Sequence, residues 1–191
     1  LAFLPLIIGQ LLFGFVLLKR PDNKGSSESA RVFLFISIGA SISLVSQIYH
    51  IPGDISSFMV TWMLLGLPLI YLMKSSSTAL LYIVGISYYA TQMGYWTYPT
   101  SQPYLYWALL FLIAPFYYQL SKKTPKGNFM IALNWLVPLS MIIVLGTLAK
   151  KNEEIMMIAY ISLFGLFYLV GRLKFFTQQK ARNSGYKAIG S

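Results

Sequence analysis

Seven apolar stretches alternate with short polar connections along the chain: Leu1 to Leu18, Val32 to Tyr49, Ile55 to Met73, Ala79 to Trp96, Tyr104 to Leu120, Phe129 to Ala149 and Ile155 to Leu173. Each approaches the roughly 20 residues that a helix needs to cross a bilayer core of about 30 Å. Pro, Gly, Ser and charged residues punctuate their ends. Backbone polar groups cannot go unpaired in lipid, and long runs without alternation suit helices better than barrel strands. The pattern therefore predicts an all-α integral membrane protein, with about seven transmembrane helices in one bundle forming a polytopic domain over residues 1–173. Pro68, Pro115 and Pro138 fall inside apolar stretches and predict kinks there.

The two ends of the chain differ from this pattern. The run from Leu1 to Leu18 makes a helix of about 27 Å, slightly short of the hydrocarbon core. It opens without an initiator Met or a charged region, which speaks against a cleavable signal peptide and suggests truncation at the N-terminus. Residues 174–191 read as a basic cytoplasmic tail that meets anionic headgroups.

Composition agrees with the pattern, since 57% of residues are hydrophobic and 10% charged, against about a quarter charged in soluble domains. Cysteine is absent, which excludes disulfides, thiolate metal sites and cysteine nucleophiles. The single histidine cannot form a His-pair motif, so neither a metal site nor a cofactor is expected.

The net charge of +10 changes the picture through its distribution. Of fifteen Lys and Arg, all but Lys150 and Lys151 fall in one set of alternate connections. That set holds Lys19, Arg20, Lys24 and Arg31, then Lys74, then Lys122, Lys123 and Lys126, and then Arg172, Lys174, Lys180, Arg182 and Lys187. The positive-inside rule places this set and the C-terminus in the cytoplasm, and the Leu1 end and the His50 stretch outside. Tyr49, Tyr95, Trp96, Tyr98, Tyr104, Tyr106 and Trp107 flank the outward turns, as an interfacial aromatic belt would. Aromatics and lysines thus lie on opposite sides, and the bilayer, not nucleic acid, is the expected partner.

Candidate chemistry concentrates where the second stretch ends. Gly39, Ser43, Ser46, Gln47 and His50 follow steps of three and four, which aligns them on one helix face. Gly85, Tyr88 or Tyr89, Gln92 and Trp96 form a similar line in the fourth stretch. Two readings are open: small residues that let helices approach while glutamines bond between them, or the walls of an outward polar cavity. The second reading makes Gln47, Tyr49, His50, Asp54 and Gln92 the candidate ligand-binding residues. Histidine is the side-chain type that changes charge near neutral pH, whereas Pro52-Gly53-Asp54 also reads as a turn with Asp54 capping the third helix.

No catalytic residues are expected. The phosphate-binding Gly-rich loop, the His-Glu-x-x-His motif and paired intramembrane carboxylates are all missing. Ser43 and Ser46 share one helix with His50 but lack partners from other elements. No Asp, Glu, Lys or Arg lies inside the seven stretches, which argues against proton- or sodium-coupled transport. A constant offset pairs Gln47 with Gln92, Trp62 with Trp107, and Leu64, Leu65 and Leu67 with Leu109, Leu110 and Leu112, suggesting a helical hairpin used twice.

At Gln47, Ile48, Tyr49, His50, Gly53 and Asp54, followed by Trp62, Leu67 and Pro68, the chain resembles a bacterial predicted-membrane-protein family, domain of unknown function 2157. Members show a Gln-Ile-Tyr-His/Asn-x-x-Gly-Asp stretch, then an apolar helix with Trp and a Leu-Pro pair. The resemblance is good from Val32 to about Met73 and compositional beyond. It implies a multi-pass protein of the bacterial inner membrane, often with a cytoplasmic segment and a further helix upstream, and it carries no reaction. The expectation is a non-enzymatic membrane module or subunit of an envelope assembly, with membrane-protein partners or copies of itself. The alternative is a small-molecule transporter or channel with an outward-facing polar cavity, and a third reading is an intramembrane enzyme centred on His50.

Overall fold

The structure is a computed structural model, described here for residues 2–19, 23–96, 103–147, 153–173 and 184–190. The described elements are helices: α1 (Leu4–Lys19), α2 (Lys24–Ile48), α3 (Ile55–Met73), α4 (Ser76–Thr91) running on into a π-helical turn (Gln92–Trp96), α5 (Tyr104–Lys123), α6 (Asn128–Thr147), α7 (Glu153–Gly171) and a short α8 (Gly185–Gly190). Within the described residues each of the seven apolar stretches overlaps a helix, and α3 has the predicted bounds. Among the described residues, Gly25–Ile48, Ile55–Met73 and Asn128–Thr147 are long and apolar enough to cross a membrane, while Leu4–Lys19 and Met156–Gly171 are apolar but shorter. Length and apolarity thus support membrane-spanning helices without fixing their number at seven.

The largest departure from the apolar pattern is the start of α2, at Lys24 and not Val32. The Asn23 side chain accepts from the Ser26 N–H at 3.2 Å, satisfying a backbone donor that a helix start leaves open. The polar first turns are therefore helical, and they carry Glu28 and Arg31 on one face, with Arg31 donating to Glu28 at 2.8 Å.

The chain divides into two compact units, Leu1–Tyr82 and Ile83–Ser191, with the boundary inside α4. In the first, α1 packs along α2 and α2 against α3. Close approach depends on glycine facing aromatic rings. A Cβ on Gly39 would collide with the Trp62 indole, and one on Gly66 with the Phe35 ring. Phe35 and Trp62 rings lie 5.3 Å apart, and the indole N–H donates to the Phe35 carbonyl at 2.9 Å. The tryptophan expected from the sequence pattern is thus an interhelical strut. Its offset counterpart Trp107 is 37% exposed and packs edge-on against Tyr106, so the two occupy different environments.

The end of this unit where α3 meets α4 is tied by Glu28. Lys74 takes a left-handed conformation (φ 50°), which turns the chain within two residues. The Ser75 hydroxyl and the Ser77 N–H both donate to the Glu28 carboxylate, at 2.8 and 3.2 Å. Thr78 in turn donates to the Ser75 hydroxyl through its own hydroxyl (2.8 Å) and its N–H (3.3 Å). A carboxylate on α2 therefore caps the N-terminus of α4, where the helix dipole favours negative charge.

The second unit is held by buried hydroxyls. Ser140 on α6 pairs with Ser87 and with Tyr106, each at 2.6 Å, and Tyr117 donates to the Asn134 side-chain oxygen. Tyr106, expected in the aromatic belt, is instead buried, because its hydroxyl finds Ser140 in the interior. Tyr98 lies outside the described residues. Pro138 cannot donate to the carbonyl of Asn134, four residues back, and Gly185 of α8 lies against that carbonyl and the proline ring. Tyr186 is buried edge-on against Phe167 of α7. Of the basic tail, residues 174–183 and 191 lie outside the described residues, whereas α8 docks on α6 and α7.

Candidate functional site

The site grows from how α2 ends. The Tyr49 N–H bonds the Val45 carbonyl at 3.0 Å, the His50 N–H bonds the Gln47 carbonyl at 3.4 Å, and the Ile51 N–H reaches back to the Ser46 carbonyl at 3.0 Å. The last two bonds are the 5→2 and 6→1 pair of a Schellman motif, which places a left-handed residue just after the cap. His50 is that residue, with φ 50°. Histidine is among the side chains that tolerate this region best, which gives a backbone reason for its place here. Ser46 adds a hydroxyl bond to the Ile51 carbonyl at 3.1 Å, so the chain leaves α2 in a fixed direction.

Asp54 then starts α3. Its backbone is extended (φ −103°, ψ 164°) and its side chain accepts from the Ser57 N–H at 3.0 Å, as the capping reading expects. Hydrogen bonds from Ser57, side chain and then backbone, hold the carboxyl below its ordinary range.

Between these two ends α2 and α3 stand apart around a cavity of about 890 Å³. Ile38, Ile42 and Val45 from α2 face Ile55, Phe58 and Leu65 from α3, with Phe3 and Leu6 completing an apolar wall. Ser43, Ser46, Gln47, Asp54, Ser57 and Thr61 give it polar groups. Asp54 is the one charged residue on this lining.

Two hydroxyls of the lining are spent on backbone carbonyls, Ser46 on Ile51 at 3.1 Å and Thr61 on Ser57 at 2.9 Å. Ser41 differs: it lines the cavity, is 5% exposed, and its Oγ is buried with no hydrogen-bond partner.

The sequence-predicted residues separate accordingly. Gln47 and Asp54 line the cavity, and the Gln47 amide contacts the Ser43 hydroxyl at 3.4 Å. Tyr49 and His50 sit in the connection, off the lining, and Tyr49 is 67% exposed. Gln92 belongs to the second unit, where its amide donates to the Tyr88 hydroxyl at 2.8 Å. Sequence reasoning missed Ser41 because it lies among the apolar positions of α2, off the line through Gly39, Ser43 and Gln47. Glu28 was also missed, although the three-residue step to Arg31 was a signal of a helical pair. Among the described residues no three His, Asp or Glu side chains gather. What the cavity can do chemically is receive a molecule that is mostly apolar.

No curated protein and no solved structure matches the chain. A family model does match, over residues 1–79, an extent that follows the first compact unit. The part of the chain that builds the cavity thus carries the match to the family described as "Predicted membrane protein (DUF2157)", domain of unknown function 2157.

Proposed function

We propose that the protein is a non-enzymatic, multi-pass module of the bacterial inner membrane, with about seven spans, a cytoplasmic C-terminus and an outward ligand-receiving site in its first unit. The observation that carries this reading is the cavity between α2 and α3, apolar along its walls and polar where Gln47 and Asp54 meet it. The thirteen-to-two division of Lys and Arg supports the orientation. Membrane-protein partners, or further copies of the chain, fit a module of this kind, and the apolar helix faces are available to them.

A small-molecule transporter draws on the same cavity. Charge-free helix interiors at the predicted spans weigh against coupling to protons or sodium, which leaves the module as the first reading. Cysteines at Gly53 and Lys74, both exposed, test the orientation in this cysteine-free chain. An impermeant thiol reagent applied to intact cells should label Gly53→Cys, and should label Lys74→Cys only after permeabilisation. Labelling of both from one side rejects the topology. Purification of the full protein separates the two functions: stoichiometric partner chains support a subunit, and a homomer that moves a solute into vesicles supports transport.

A further inference from the structure

We propose that the cavity holds the apolar chain of a membrane amphiphile whose headgroup is uncharged or cationic, with the head at the Gln47–Asp54 rim. The inference rests on the reading of α2 and α3 as membrane-spanning helices, and names the ligand that their shared cavity takes.

Position comes first. The polar connection between α2 and α3 lies at the end of both apolar helices, so the rim sits at headgroup depth and the walls formed by Ile38 and Leu65 lie deeper. A molecule in the cavity therefore meets the same polarity gradient as a lipid. A fully polar solute would lose hydration against these walls without replacing it. The volume of about 890 Å³ lies within the range of ligand sites, which run to about 1,000 Å³.

Charge selects the head. Among the described residues Asp54 is the charged group on the lining, so its carboxylate disfavours an anionic head, while a hydroxyl or an amine finds an acceptor there.

The test uses the full chain in a non-ionic detergent, with monooleoylglycerol and oleate as probes of equal chain length and opposite head chemistry, read by native mass spectrometry at pH 7. Monooleoylglycerol should bind saturably, one molecule per chain, and oleate at least tenfold more weakly. Ile42→Trp, which fills the cavity, should abolish the saturable binding. Asp54→Asn keeps the helix cap and should bring the two probes to within about threefold of each other. Should Ile42→Trp fail to fold, the Asp54 variant carries the test. Binding that never saturates, an unchanged affinity in folded Ile42→Trp, or oleate binding as tightly as monooleoylglycerol would each overturn the proposal. Absent binding together with outward labelling at Gly53 would overturn this assignment alone and leave the membrane-module reading intact.

Discussion

The two ends of the first unit each place a carboxylate at a helix N-terminus, with opposite consequences. Asp54 caps its own helix, three residues from the N–H it accepts. Glu28 caps a distant helix through Ser75, 47 residues further along the chain. A local cap fixes where α3 starts but says nothing about where α2 must be, and at that end the two helices stand apart around a cavity. The long-range cap binds α2 to the turn between α3 and α4, and Ser75 and Thr78 are fully buried there. The same chemical group opens one end and closes the other, according to whether its partner is near in sequence or only in space.

This contrast presumes that both ends hang on a rigid middle, and Gly39→Leu is the harshest way to break it. The added side chain meets the Trp62 indole, and overpacking of this kind costs about 3 kcal/mol or more. Folded yield and the thermal midpoint in detergent should fall sharply, whereas Leu72→Ala, at an exposed position, should leave both nearly unchanged. An unaltered melting profile for Gly39→Leu would mean that the two helices do not meet there.

Glu28→Ala should come next. It removes charge-assisted bonds to Ser75, Ser77 and Arg31 and leaves buried donors unpaired, at a cost of about 2–3 kcal/mol. Glu28→Gln should recover part of the loss because an acceptor oxygen remains. Hydrogen exchange should rise at Ser77 and Thr78 while the Ser57 amide keeps its protection. Equal loosening at both ends would erase the distinction drawn between them.

His50 tests the open end. If its role is the left-handed backbone position, His50→Asn and His50→Gly should be tolerated, and His50→Val should cost about 1–2 kcal/mol because a β-branched residue is strained there. If Asn and Gly lose as much stability as Val, the imidazole itself makes the contribution.

The smallest effect is expected at Asp54. Replacement by Ala should cost about 1 kcal/mol, and by Asn close to nothing. Because hydrogen bonds lower the folded-state pKa of Asp54, its contribution is present above the ordinary carboxylate range and is lost as pH falls through the lowered value. Acid melts should therefore bring wild type and Asp54→Ala together, and the gap should persist at neutral pH.

The arrangement of hydrophobic residues alone pointed to an all-helical chain with helices apolar enough to span a membrane, and to where most of those helices lie, since the apolar period and the breakers between runs are local properties of the chain. It also determined the Asp54 cap, because cap and capped N–H are three residues apart. Tertiary structure decided the rest. Whether Tyr106 faced headgroups or the interior depended on Ser140, and Trp62 became a strut because Gly39 and Phe35 meet it in space. Glu28 looked like one more charge in a basic connection until α2 was found to begin at Lys24 and the α3–α4 turn to arrive beside it. His50 drew attention by its chemistry, yet it holds a backbone conformation, which depends on torsion angles that residue identity only biases. The cavity had no sequence signature of its own, because it is a space between two helices.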